Sequence, residues 1–314
     1  MKIGYFGTPF YSVQLLEALF SEGHEILFVV TNMDKPIGRK KIITPPPVKE
    51  FALKHGIPVF QFPSIKEESA ISSINSVLTD LNIVFAYGSI IPEKIFSHPI
   101  CGTINLHTSL LPKYRGASPI ESAILSGDKY TGVSIQYITE ELDSGDIITQ
   151  KQIEILENDN AETLLNKLTQ GGTREILNLL KSYNGKKFPA TPQDHLQSSH
   201  CRKILSQDRK LNFQTSATEV FNKIRAFYPY HTAYCNFRDK RLNILESRLI
   251  TEANWGGISG ETGEILLVDK KTLVAKCGDG GGVEILLLQP ENKNQMTALE
   301  FINGYRIKEG ERLT

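Results

Sequence analysis

Lys2-Ile3-Gly4-Tyr5-Phe6-Gly7-Thr8-Pro9, then Val13, Leu15, Leu16, Leu19 and Phe20, then Ile26-Leu27-Phe28-Val29-Val30, is the run whose reading decides the fold class. Lys2–Phe6 is a short apolar-rich strand and Gly7-Thr8-Pro9 a sharp turn, after which the apolar residues recur at near-helical spacing. Ile26–Val30 is a second strand of β-branched and aromatic residues. Together they form a βαβ unit whose crossover is right-handed. The turn after the first strand carries Gly7 but not Gly-x-Gly-x-x-Gly, so a dinucleotide cofactor has little support.

Outward from that unit the alternation continues. Val48–His55 reads as a helix, Ile57–Phe60 as a strand, Glu67–Thr79 as a helix, and Ile83–Tyr87 as a buried strand closed by Gly88 and Pro92. Thr103 to about Ser109 is a further strand, Ser118–Leu125 a helix, and Val133–Ile138 and Ile147–Ile155 an antiparallel pair around the Leu142–Asp146 turn. Ala161–Tyr183 carries a long-helix pattern that Gly171-Gly172 interrupts. Residues 1–188 are expected to form an α/β domain with a Rossmann-like sheet. The serine- and proline-containing stretch 189–207 reads as a linker. Residues 208–314 hold one helix near Ala217–Ala226, short strands separated by Gly- and Asp-rich turns, and a closing helix at Met296–Asn303, the pattern of a small antiparallel β-barrel.

The 314 residues suit two domains, and 35 basic against 35 acidic residues remove any global attraction to a polyanion. A nucleic-acid partner must therefore be held by local patches. One candidate is Asp34-Lys35-Pro36-Ile37-Gly38-Arg39-Lys40-Lys41, ahead of Pro45-Pro46-Pro47, where four basic residues fall in seven positions of a loop closed to helix by its prolines and glycine. A solvated surface loop is an equal reading. The start of the chain shows no signal-peptide pattern and no apolar run approaches bilayer length, so a cytoplasmic protein without membrane contact is expected. Cys101, Cys201, Cys235 and Cys277 lie far apart without Cys-x-x-Cys spacing and read as reduced thiols, with no metal site.

Chemistry concentrates in Thr103-Ile104-Asn105-Leu106-His107-Thr108-Ser109-Leu110-Leu111-Pro112. Ile104 and Leu106 alternate with Asn105 and His107, which places an amide and an imidazole on one strand face, near the strand end where open α/β sheets bind ligands. Asn offers N–H donors to a developing oxyanion, and His exchanges a proton near neutral pH. Two hydrogen-bonded polar residues at a strand edge is the bland alternative. Asp143, in Leu142-Asp143-Ser144-Gly145-Asp146, is a third candidate that would orient His107 or a water. Asp-Ser-Gly-Asp is equally ordinary turn chemistry.

Asn105-Leu106-His107-x-Ser109-Leu110-Leu111-Pro112, then Tyr114-Arg115-Gly116-Ala117, then Leu142-Asp143-x-Gly145-Asp146, resembles the core signature of the folate-dependent formyltransferases. Phe6-Gly7-Thr8-Pro9, Asp34-x-Pro36-x-Gly38-Arg39, Ala86-Tyr87-Gly88 with Ile91-Pro92, Ile224-Arg225-Ala226-Phe227 and the tail from Leu288-Gln289-Pro290 to Phe301-Ile302-Asn303-Gly304 extend the likeness nearly end to end. The resemblance implies a Rossmann-like formyltransferase domain followed by an OB-like β-barrel domain. It implies 10-formyltetrahydrofolate as co-substrate without a metal, and the α-amine of methionyl initiator tRNA as acceptor. It makes Asn105, His107 and Asp143 the catalytic set. It assigns folate to Ser109, Leu110, Leu111 and Pro112 with Tyr87, Gly88 and Ile91, and tRNA to Arg39, Lys40 and Lys41. A monomer is expected. A sugar-nucleotide amine is the nearest rival acceptor, and a catalytically silent RNA-binding protein on the same fold is the rival from another class.

Overall fold

The computed structural model describes residues 1–38, 40–250, 259–268 and 271–314. They form two compact units: Met1–Pro119 with Thr131–Glu154 and Leu165–Cys201, and Ile120–Tyr130 with Ile155–Leu164 and Arg202–Thr314.

The first unit begins with β1 (Lys2–Gly7), α1 (Phe10–Ser21) and β2 (Glu25–Val30), followed by β3 (Lys35–Ile37), β4 (Ile42–Thr44), α2 (Pro47–Lys54), β5 (Val59–Phe60), α3 (Glu68–Asn75), β6 (Leu81–Phe85), α4 (Glu93–Phe96) and β7 (Thr103–His107). Next come β8 (Arg115–Gly116), β9 (Tyr130–Tyr137), β10 (Ile147–Glu154), α6 (Ala161–Lys181) and β11 (His200–Cys201), while α5 (Pro119–Leu125) beyond its first residue and the first turn of α6 fall in the second unit. The main sheet has seven strands in the order β10-β9-β7-β6-β1-β2-β5. β5, β2, β1, β6 and β7 pair in parallel, and β9 runs antiparallel to β7. Every residue of β6 is buried, as in a parallel strand covered on both faces.

The chain leaves β1 toward β2 and β5, then returns to β6 and β7 on the other side, so the sheet switches direction between β1 and β6. Open α/β sheets bind ligands beyond the strand ends at such a point. There the Thr8 hydroxyl and the Asn32 side-chain amide both donate to the Tyr87 carbonyl, each at 3.2 Å. Gly7 has a steric reason to be glycine: a Cβ would lie 2.0 Å from the Ser12 hydroxyl, which itself donates to the Phe85 carbonyl at 2.8 Å. β6 starts and stops two residues before the sequence-based strand, because Ala86 and Gly88 take positive φ of 55° and 85° and turn the chain.

Two further differences have local causes. The basic stretch after Thr31 is a hairpin, with β3 and β4 paired Lys35↔Thr44 and Ile37↔Ile42, and its exposed three-residue strands leave no periodic signal in the sequence. α6 runs through Gly171-Gly172 unbroken. A Cβ on Gly171 would lie 2.8 Å from the Ile153 side chain and one on Gly172 2.6 Å from Leu106, so the glycines let the helix settle onto β10 and β7.

The second unit contains α7 (Ala217–Phe227), β12 (Ala233–Phe237), β13 (Lys240–Ile250), β14 (Ile265–Val268), β15 (Thr272–Lys276), β16 (Gly282–Pro290), β17 (Met296–Thr297) and α8 (Ala298–Tyr305). The strands form an antiparallel sheet ordered β12-β13-β16-β15-β14, with β17 on β16. The last residues join the two edges: Leu313 bridges Phe237 of β12, and Arg312 bridges Glu264 beside β14. Those contacts cover part of each edge, as barrel closure does. Ser216 with Glu219, and Thr297 with Glu300, make the capping boxes that start α7 and α8.

Among the described residues no helix is long and apolar enough to cross a membrane.

Candidate active site

β7 delivers Asn105 and His107 to one side, as their alternation with Ile104 and Leu106 requires, and both reach Asp143. The Asn105 amide donates to Asp143 Oδ1 at 3.4 Å, and His107 Nδ1 lies 3.6 Å from Oδ2. Both His107 and Asp143 keep only 7% of the side chain exposed. The other ring nitrogen of His107, Nε2, is 2.9 Å from the Tyr114 carbonyl. A carbonyl only accepts, so Nε2 carries the hydrogen and Nδ1 is the atom left to exchange a proton toward Asp143.

Asp143 sits at φ 54° in the Leu142–Asp146 turn. Its Oδ2 accepts the Gly116 N–H at 2.9 Å and its Oδ1 the Gln136 side-chain amide at 3.1 Å. Gln136 is the direct β9 neighbour of Asn105, so sheet register brings it there. Gly116 combines φ 117° with a Cβ position only 2.2 Å from the Cys201 carbonyl, where β8 pairs with β11. No other residue presents that N–H without moving the backbone.

Behind the carboxylate lies Arg115, 2% exposed. Its Nε and Nη2 donate to Gln193 Oε1 at 3.1 and 2.7 Å, Nη2 donates to His195 Nδ1 at 3.2 Å, and Nη1 is 4.0 Å from Glu141. Gln193 Nε2 in turn faces the Gln136 Oε1, the Asp143 carbonyl and the Gly145 carbonyl at 3.0, 3.0 and 2.8 Å. Sequence reasoning missed Gln136 and Gln193. The first reads as a polar position in an alternating strand; the second sits in the stretch read as linker, of which residues 189–201 pack into the first unit. An alternation count on β9 would have found Gln136, whereas Gln193 had no local signal.

Ser109, Leu110, Leu111 and Pro112 form a braced bend after β7. The buried Ser109 hydroxyl donates to the Lys113 carbonyl at 2.6 Å, and the Ser134 hydroxyl accepts the Leu111 N–H at 2.9 Å and donates to the Ser109 carbonyl at 2.6 Å. Gln150 adds donors to Leu111 O and Ser134 Oγ, both at 2.8 Å. Ser109 and Leu111 are buried, while Leu110 and Pro112 stay partly open. The side chains of Tyr87 and Ile91 belong to the cluster around Phe6, Phe28 and Val84, which leaves exposed Gly88 and the local backbone to meet a ligand. Burial pushes the Tyr87 phenol up to about 12. Lys40 and Lys41 are exposed at the tip of the β3–β4 hairpin, and Arg39 lies outside the described residues. The hairpin base is held by Lys49 and Gln61, whose Nζ and Nε2 both donate to the Asp34 carboxylate at 2.8 Å, and these hydrogen bonds hold the Asp34 carboxyl below its ordinary range. No group of three or more His, Cys, Asp or Glu suited to a metal occurs among the described residues.

The family described as formyl transferase matches residues 1–180, and the formyl transferase C-terminal domain matches residues 203–306. A methionyl-tRNA formyltransferase of Leptospira interrogans is 51% identical over 317 aligned residues, covering 99% of both chains. Among solved structures, an N-formyltransferase of Helicobacter canadensis in complex with folinic acid and dTDP-3-aminofucose aligns with a TM-score of 0.69 at 18% identity, over 92% of this chain and 99% of that one. HypX of Aquifex aeolicus in complex with tetrahydrofolic acid aligns with a TM-score of 0.66 at 17% identity, over all of this chain, which spans 50% of HypX.

Proposed function

The chain belongs to the formyl transferase family, and we propose that it moves the formyl group of 10-formyltetrahydrofolate onto the α-amine of methionyl initiator tRNA. The observation that carries the reading is the convergence of Asn105 and His107 on Asp143 at the end of β7, in a chain similar over 99% of its length to a methionyl-tRNA formyltransferase.

The neutral amine attacks the formyl carbon; a new N–C bond forms and negative charge collects on the formyl oxygen. Asn105 is suited to that oxygen, because its 3.4 Å contact to Asp143 is long and its amide can redirect to a stronger acceptor. One such donor is worth about 3–4 kcal/mol to a transition state. As the tetrahedral carbon collapses, its bond to N10 breaks, the amine gives up a proton, and N10 gains one. The Nδ1–Asp143 pair is the group positioned to accept the first of these protons, directly or through water. Folate is assigned to the cleft formed by Ser109–Pro112 and the backbone around Tyr87, Gly88 and Ile91, on the support of their place beyond the ends of β7 and β6.

The acceptor stem is assigned to Arg39, Lys40 and Lys41, supported by the exposed basic tip. The division into a 1–188 catalytic domain, a 189–207 connection and a 208–314 tRNA-binding domain belongs to the same reading, as do a monomeric state and a cytoplasmic location. The test is formyl transfer from 10-formyltetrahydrofolate to charged initiator tRNA, run beside a sugar-nucleotide amine. Transfer to the sugar amine alone overturns the acceptor assignment, and transfer to neither overturns the reaction.

A further inference from the structure

We infer that Gln193 is a positioning residue which, resting on the reading above, sets the direction of a buried relay aiming Asp143 at His107. A guanidinium has donors only, so Arg115 obliges Gln193 to turn Oε1 toward it, at 3.1 and 2.7 Å. The carboxamide then has one orientation, with Nε2 toward the Asp143 and Gly145 carbonyls and Gln136 Oε1. Gln136, having accepted at Oε1, turns its own amide to Asp143 Oδ1 at 3.1 Å. Flipping either glutamine would set oxygen against oxygen or N–H against N–H in a site where Arg115 is 2% and Gln193 6% exposed. Oδ1 is thus occupied by amide donors, and Oδ2, which also takes the Gly116 N–H, is the oxygen left toward Nδ1.

Gln193 also ties the two backbone carbonyls of the turn in which Asp143 holds φ 54°. Asp is among the side-chain-bearing residues that take this conformation in turns, and the two hydrogen bonds from Gln193 hold the turn in it. The same residue therefore fixes both the turn and the orientation of the carboxylate it carries.

The experiment uses Gln193→Glu, nearly isosteric and still paired with Arg115, and Gln136→Met, which removes the last donor of the relay. Each is expected to lower kcat about tenfold or more, with KM for both substrates within about twofold, and to displace the pH–rate profile. The double variant should be no worse than the more damaged single one, as for members of one chain. Independently of turnover, the Gln136 side-chain amide protons, buried and bonded to Asp143, are expected to exchange slowly in wild type by 15N NMR and to lose protection in Gln193→Glu. Unchanged kcat and pH profile in either folded single variant overturns the inference, as does unchanged Gln136 protection. If Gln193→Glu does not fold, Gln136→Met decides. Wild-type protein that formylates no amine would sink the reaction, and the NMR comparison would then still decide the relay.

Discussion

The Asp143 centre and the β3–β4 hairpin are both rich in charge and built in opposite ways. Around Asp143 the Gly116 N–H and the Gln136 amide are each directed at one carboxylate oxygen, and Arg115, Gln136 and Gln193 are buried. In the hairpin, Ile37, Ile42 and Ile43 are 59%, 62% and 64% exposed, Lys40 and Lys41 lie open, and the base is fastened by the half-buried Asp34, Lys49 and Gln61. Low local dielectric strengthens the first and water screens the second. On the proposed function, the buried region carries the chemistry and the open one the capture of a large partner.

Asp143→Asn should break the comparison most sharply. One oxygen becomes an NH2 facing either the Gly116 N–H or the Gln136 amide, and the expected loss in kcat is about 10²- to 10³-fold with the fold retained. Steady-state kinetics with circular dichroism checks it; activity near wild type would demote Asp143 to a turn residue. Asn105→Ala and His107→Ala come next, each lowering kcat about 10²-fold with little change in KM, since the interactions removed strengthen only in the transition state.

Gly116→Ala tests whether backbone placement is as demanding as the side chains. The added methyl meets the Cys201 carbonyl and the φ of 117° disfavours it, a strain of about 1–3 kcal/mol that should appear as a lower Tm together with lower kcat. A variant equal to wild type in both would show the β8–β11 contact to be yielding.

How much of this was legible follows the same division. The alternation at Ile104–His107 was enough to put Asn105 and His107 on one side, and β1, α1 and β2 followed from apolar spacing, because all of these are set by local period. The reach of Asp143 to His107 is a tertiary fact, and turn residues carry no spacing that announces it. Gln193 lies 50 residues from Asp143 among prolines and serines, so the donor-only nature of Arg115 that orients it is visible only once the two are adjacent. The glycines of α6 misled for a physical reason: propensity counts their cost in an isolated helix and omits the close approach they permit.

The hairpin predictions have smaller effects. Removing both charges in Lys40→Ala with Lys41→Ala should raise KM for the charged tRNA, leave folate affinity unchanged, and make the dependence of log affinity on log salt shallower by about one unit per lysine. An identical salt slope would return the tip to a solvated loop. Arg39→Ala should act in the same direction, with Arg39→Lys only a partial rescue because bidentate contact is lost. Last comes the base. The Lys49 and Gln61 hydrogen bonds hold the Asp34 carboxyl below its ordinary range, so their contribution is present above the unfolded value and fades as pH falls through the folded one. Hydrogen exchange of the 35–44 amides, corrected for intrinsic rate, should quicken in acid for wild type and already be quick at neutral pH in Lys49→Met.

Gly172 bears on β7 from the far side of the sheet. Its missing side chain lets α6 press on Leu106, the residue between Asn105 and His107, and those two point the opposite way. The depth at which Asn105 and His107 sit is therefore a mechanical tolerance set by a helix packed on the opposite face of the sheet. Alanine at this position would have to be met by Leu106 giving way, with neither Asn105 nor His107 altered in kind.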